Sequence, residues 1–179
     1  MKKLVLAAVL AALASVPAAA ELPAGAQAPL FATQAAKGGK AFAFNLRTAL
    51  ARGPVVLYFY PKAFTKGCTL EARQFAEAAD DFAAAGAMVI GMSNDDIDTL
   101  KRFSTEECRD KFAVGAATPR IVEAYDAALV REGKDTGMTD RTSYVIDSSG
   151  KIVFVHSDLD YRDHVRLTLA AVRKLERGD

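Results

Sequence analysis

The sequence predicts an α/β domain, a central mixed β-sheet flanked by helices, and three observations carry that reading. Two runs, residues 54–61 and 87–92, are apolar throughout and rich in β-branched or aromatic side chains, as strands buried on both faces are. Each is followed by a segment whose apolar residues recur at helical spacing. Two short strand-like runs around Ser148-Ser149-Gly150 then read as a β-hairpin, which gives the sheet an antiparallel edge.

Residues 21–51 are rich in Ala, Gly and Lys with weak periodicity, and loops with one or two short strands are expected there. The run 54–61 lies between Gly53-Pro54 and Pro61 and reads as the central strand. Over residues 68–85, Leu70, Phe75, Ala79 and Phe82 fall at roughly helical spacing, and Gly86 supplies a stop. The second buried strand, 87–92, leads into Ser93-Asn94-Asp95-Asp96, whose side chains cap a helix carrying Ile97, Leu100 and Phe103. Residues 119–129 read as a short helix and 130–140 as a polar loop. The hairpin pairs 142–147 with 151–155, and an amphipathic helix over 162–176 buries Val165, Leu169, Val172 and Leu175. That order is the layout of the thioredoxin fold, with no internal repeat and no second domain.

The chain has 179 residues, the length of one domain with a sizeable core. Lys plus Arg number 23 and Asp plus Glu 22, so charge gives no reason to expect nucleic acid as a partner. Two cysteines exclude a disulfide-dense scaffold and, alone, a four-cysteine zinc site. The first twenty residues read as a secretory leader. Lys2 and Lys3 precede an uncharged apolar run from Leu4 to Ala14, and small residues stand at Ala18 and Ala20. An uncleaved anchor is the alternative, but the run is short against the ~20 residues of a membrane span. Residues 1–20 are thus expected to be a signal peptide and 21–179 a single domain of 159 residues with charge −1, exported to the periplasm and leaving the membrane on cleavage. Both cysteines belong to that domain, in a compartment that oxidises thiols.

Chemistry concentrates in residues 59–71, where a buried strand ends at Pro61 and Cys68 opens a helix. A helix N-terminus presents unpaired N–H groups and the positive end of the macrodipole. Those favour thiolate and would lower the cysteine pKa from about 8.5 into the range of about 3.5–7.5 found for activated thiols. Thr65, three residues earlier, can offer a hydroxyl to the sulfur or to a bound oxygen. A cysteine that merely packs at a helix start is the plain alternative.

Pro61, Thr65 and Cys68 form the pattern Pro-x-x-x-Thr-x-x-Cys, which matches the active-site motif of the peroxiredoxins. The string Val55-Val56-Leu57-Tyr58-Phe59-Tyr60-Pro61-Lys62, with Gly67-Cys68-Thr69 and Glu71, resembles the bacterioferritin-comigratory or Q-type branch. Arg141 to Asp147 matches the family's second signature, an arginine opening a strand beside the active site. The resemblance implies a thiol-dependent peroxidase acting on hydrogen peroxide or alkyl hydroperoxides. Cys68 would be the peroxidatic thiol, Thr65 would bind the peroxide, Pro61 would shield the nucleophile from water, and Arg141 would stabilise thiolate and leaving oxygen. No cofactor is implied, and a thioredoxin-like thiol would serve as reductant.

Many Q-type relatives place a second cysteine five residues after the first, where this chain has Arg73. Others place it in the next helix, and Cys108, forty residues on, stands near the end of the helix that starts around Asp95. The resemblance implies that Cys108 resolves a Cys68 sulfenic acid as an intramolecular disulfide, which requires the helix start at Cys68 to unwind. A free buried thiol and a permanent disulfide stay open; closing such a loop would contribute on the order of 4 kcal/mol. Glu71 either orients an arginine or sits exposed in the first helical turn. His156 and His164 read as surface residues without metal spacing. Nothing thiol-like follows Cys108, so a monomer or weak homodimer is expected. Two other classes are a thiol–disulfide oxidoreductase, which normally needs Cys-x-x-Cys, and a non-catalytic domain kept for its disulfide.

Overall fold

A computed structural model describes residues 21–178 of the chain, so the leader read over residues 1–20 lies outside the described residues. A seven-stranded sheet in the order β2-β1-β5-β4-β3-β8-β9 forms the centre. Strand β3 (Val55–Phe59) is buried at every residue, as its uninterrupted apolar sequence requires. It pairs parallel with β4 (Met88–Ser93) and antiparallel with β8 (Thr142–Ile146), and β4 pairs parallel with β5 (Ala113–Ala116). The hairpin β8–β9 (Ile152–Ser157) gives one antiparallel edge. β1 (Ala32–Lys37) and β2 (Lys40–Asn45) give the other, turning through Gly38 and Gly39, both at positive φ.

Alternate side chains of β3 feed two apolar layers. Val55, Leu57 and Phe59 pack with Ile90, Met92, Tyr125, Tyr144 and helices α1 (Leu46–Leu50) and α5 (Pro119–Ala124). Val56, Tyr58 and Tyr60 pack with Phe75, Phe103 and Val172 from α2 (Lys66–Glu77), α4 (Ile97–Glu106) and α6 (His164–Arg177). Cys68 and Cys108 both belong to this second layer. Gly91 is required there: a Cβ on it would stand 2.7 Å from the Tyr58 ring.

Several expectations need correction. The helix read over 68–85 is two, α2 and α3 (Ala79–Ala84), because Ala78 leaves helical geometry with ψ near 0. Gly86, at φ 75, does end the second. The polar loop read over 130–140 belongs to a separate hairpin, β6 (Ala128–Arg131) with β7 (Lys134–Thr139), turning through Glu132 and Gly133 at positive φ. Mostly polar and exposed, it gives no alternation to read. Helix α5 stops at Ala124, so Leu129 belongs to a strand. Among the described residues, no helix is long and apolar enough to cross a membrane.

Candidate active site

The loop that leaves β3 is pinned before it reaches the helix. Ala63 N–H donates to Asp95 Oδ2 (2.7 Å), and Ser93 Oγ donates to the same oxygen (2.8 Å). Phe64 adopts a left-handed φ of 62, which leaves its ring edge-on to Phe103 and beneath the Arg102 guanidinium (5.0 Å to the ring centre). Thr65 then takes extended geometry as the N-cap of α2. Its hydroxyl donates to the Lys62 carbonyl at 2.9 Å and does not cap the helix, so its proton is directed away from the sulfur. Pro61 is half-buried at the strand's end.

Helix α2 starts at Lys66, which places Cys68 as its third residue, buried at 2% exposure. Its sulfur lies in the first turn, where backbone N–H groups have no helical partner. Arg141, just ahead of β8, is 5% exposed and reaches the site with all three guanidinium nitrogens engaged. Nη2 donates to Cys68 Sγ (3.3 Å), Nη1 to Glu71 Oε2, and Nε to the Leu159 carbonyl (2.9 Å). Glu71 stands one turn beyond Cys68 on the same helix face, and is fully buried. Its role as the arginine's orienting partner is therefore realised, and the exposed first-turn reading fails. Gly67 leaves room for the cation: a Cβ there would lie 3.3 Å from Arg141 Nη2.

One guanidinium thus faces two acids. Burial pushes the Glu71 carboxyl up to about 8, against the lowering pull of Arg141.

His164 is the residue that sequence reasoning misplaced. It is fully buried at the start of α6, not on the surface. Nε2 lies 2.9 Å from the Asp158 carbonyl, which can only accept, so Nε2 carries the proton and Nδ1 accepts from Ser143 Oγ (2.8 Å). Nδ1 also lies 3.8 Å from Glu71 Oε1, an oxygen without a donor. Burial lowers the imidazole to about 4, which keeps it neutral near pH 7. The signal was in the sequence: His164, Thr168 and Val172 form the buried i, i+4, i+8 stripe of α6. His156 is half-buried in β9, its ring 4.6 Å from that of His164.

Cys108 is not beside Cys68. It lies two residues past the end of α4, fully buried, and both thiols are free. Burial, then Glu107, then Asp110 raise its pKa well above the ordinary thiol value. Among the described residues, no group of three His, Cys, Asp or Glu side chains is arranged to hold a metal.

Residues 24–155 match the model of the AhpC/TSA family. The chain belongs to that family. It is a peroxiredoxin of the bacterioferritin-comigratory type and a thiol-dependent peroxidase. It is similar to peroxiredoxin Bcp of Bacillus subtilis, 28% identical over 68% of this chain and 78% of that protein. Escherichia coli peroxiredoxin Bcp is 32% identical over 62% of this chain and 72% of its own length. Among solved structures, BcpB of Mycobacterium tuberculosis superposes with a TM-score of 0.75 at 29% identity, covering 85% of this chain and 97% of that one. Peroxiredoxin Q of Xanthomonas campestris gives 0.70 at 25% identity, over 80% and 90%. The peroxiredoxin fold places the Pro61–Cys68 segment just after β3 and Arg141 just before β8, its antiparallel neighbour, which explains how residues so distant in sequence lie together.

Proposed function

We propose that Cys68 is the peroxidatic cysteine of this peroxiredoxin, and the observation that carries the reading is the Arg141 Nη2 contact to its sulfur at a helix N-terminus. The thiolate attacks one peroxide oxygen and the O–O bond breaks. Cys68 becomes a sulfenic acid, and the leaving oxygen takes up a proton to depart as water or alcohol. Arg141 holds the negative charge on sulfur and then on the leaving oxygen. The Thr65 hydroxyl, exposed at the rim, turns from the Lys62 carbonyl to bind the incoming peroxide, and Pro61 walls the sulfur from water. Alkyl hydroperoxides are substrates alongside hydrogen peroxide; a solved structure of the Xanthomonas campestris bacterioferritin comigratory protein concerns its alkyl peroxide reduction activity.

Cys108 resolves the sulfenic acid as an intramolecular disulfide, which a thioredoxin-like thiol reduces. The enzyme works in the periplasm as the single domain 21–179, a monomer or weak dimer, after the leader 1–20 is removed. Rapid consumption of hydrogen peroxide that Cys68→Ser abolishes supports the first step, and undiminished consumption in that variant would sink it. In Cys108→Ser the first turnover should proceed, leaving a sulfenic acid on Cys68 without a disulfide.

A further inference from the structure

A row of ion pairs joins the two segments that carry the cysteines. From α2 and α3, Arg73, Glu77 and Asp80 face outward at the i, i+4, i+7 spacing of one helix side. From the chain that follows α4, alternate residues Glu107, Arg109 and Lys111 meet them. Arg73 Nε lies 2.7 Å from Glu107 Oε2, Arg109 Nη1 3.5 Å from Glu77 Oε1, and Lys111 Nζ 3.1 Å from Asp80 Oδ1. The signs run plus, minus, minus against minus, plus, plus. Arg109 and Asp110 both hold left-handed backbone, at φ 50 and 58, a conformation that residues with a Cβ seldom adopt in succession. Cys108 sits between the first two rungs.

We propose that this ladder is the pivot of the resolving step: α2 unwinds over residues 66–72 only, and the Arg73–Glu107 pair holds Cys108 on the remaining helix as a fixed target for Cys68. The inference rests on Cys108 being the resolving thiol. Arg73 is five residues after Cys68, and that span, extended, reaches roughly 17 Å. Glu107 is one side-chain contact from Arg73 and adjoins Cys108 in the chain, so that tether can bring the two Cα atoms to the ~4.4–6.8 Å of a disulfide. Unwinding beyond Arg73 would break the first rung and free the target. Oxidation of Cys68 favours release of the first turns, because a neutral sulfenic acid no longer holds Arg141 as a thiolate does. The Cys108 sulfur then attacks the Cys68 sulfur; the S–S bond forms, the S–O bond breaks, and the hydroxide leaves as water with the thiol's proton. The peroxide already reduced supplies the oxidising equivalents.

The test separates the two chemical steps in the full mature chain. Reduced protein receives one equivalent of hydrogen peroxide; loss of peroxide reports the first step, and rapid alkylation with mass spectrometry follows disulfide formation. In Arg73→Ala the disulfide should form roughly fivefold more slowly, with peroxide loss unchanged and Cys68 sulfinic acid appearing at lower peroxide doses. Arg73→Lys should recover part of the rate, and the exchanged pair Arg73→Glu with Glu107→Arg most of it, a rescue that a general packing defect would not show. Raised salt should slow disulfide formation in the unaltered protein, modestly, since the two outer rungs are exposed and screened while Glu107 of the first is largely buried, and that arm holds even where a variant folds poorly. Equal or faster disulfide formation in Arg73→Ala overturns the pivot alone. Absence of any Cys68–Cys108 bond in the unaltered protein overturns the resolving assignment and the pivot with it.

Discussion

Cys68 and Cys108 share one apolar layer and are equally withdrawn from solvent, at 2% and 0% exposure, yet they meet opposite fields. Cys68 is the third residue of α2, at the positive end of the helix, with the Arg141 guanidinium 3.3 Å from its sulfur. Cys108 follows the C-terminal, negative end of α4, between Glu107 and Asp110. The contrast lies in helix polarity and neighbouring charge: a guanidinium and a positive helix end at one sulfur, acids and a negative helix end at the other. The same residue type thus meets opposite fields according to which end of a helix it borders.

Removing the cation should erase most of the contrast. Arg141→Ala is expected to slow peroxide consumption by Cys68 about 10²–10³-fold, the scale seen when one fixed donor to developing charge is lost. Arg141→Lys should recover only part, because one ammonium cannot reproduce the guanidinium fork that bonds Sγ and Glu71 together. A loss of only a few-fold in Arg141→Ala would mean that the helix end, not the arginine, sets the field.

The polar web behind Cys68 has its own signature in stability. The His164 imidazole has a folded-state pKa of about 4 against an ordinary value of 6.5. Between those values the unfolded chain binds a proton that the folded protein does not. Its contribution is therefore fully present above pH 6.5 and lost as pH falls toward 4, by roughly 3 kcal/mol. Urea denaturation across that window should show the loss in the unaltered protein and a shallower slope in His164→Gln. The comparison must be made between the two proteins, because burial raises Asp140 to about 6 and Glu71, which faces His164, to about 8, titrations of opposite sign. Parallel slopes would show that His164 takes up its proton as readily in the folded protein as in the unfolded chain.

How much of this was legible in the sequence follows from what each element must bury. Strands β3 and β4, the β8–β9 hairpin and α6 announce themselves because their apolar residues form an unbroken run or answer to one period, and Pro, Gly or Asp stands near their ends. Asp96 does accept from Thr99 N–H, as a cap should. Strand β5, Ala-Val-Gly-Ala, is too short and small to show a period, and it is defined by pairing with β4 and β1. That Cys68 and Arg141 would lie together was readable from the two motifs that hold them. The state of the Thr65 hydroxyl was not, because its bond to the Lys62 carbonyl depends on the loop's path. Nor were the ladder rungs, whose partners are contiguous only once α2 and the chain after α4 are side by side.

On the Cys108 side the effect should appear as a pH dependence. Thiolate is the attacking form, and burial with two acids nearby holds Cys108 as thiol, its pKa well above the ordinary value. Disulfide formation after a single peroxide turnover should therefore accelerate as pH rises, by about tenfold per unit while the thiol form predominates. A rate flat with pH would show that opening of α2, not ionisation of Cys108, limits the step.

The smallest change is also the cleanest probe of the acidic field. Neutralising Glu107 would remove the nearer charge but would also break the pair with Arg73 at 2.7 Å, confounding electrostatics with position. Asp110 is free of that objection, since the rungs run through residues 107, 109 and 111. Its backbone N–H donates to the Ser104 carbonyl at 3.0 Å, a bond any residue would keep. Its left-handed φ of 58 suits asparagine, one of the few residues that tolerate it. Asp110→Asn should thus lower the barrier to Cys108 ionisation without moving it, shifting the pH profile of disulfide formation to lower pH and speeding the step about two- to threefold at neutral pH. The gain should shrink as salt rises, because Asp110 is exposed and its field is screened within a Debye length of about 8 Å at physiological ionic strength. An unchanged profile would remove Asp110 from the account and leave burial and Glu107 to hold Cys108 as a thiol, so that the field opposing ionisation would come from within the Arg73–Glu107 pair itself.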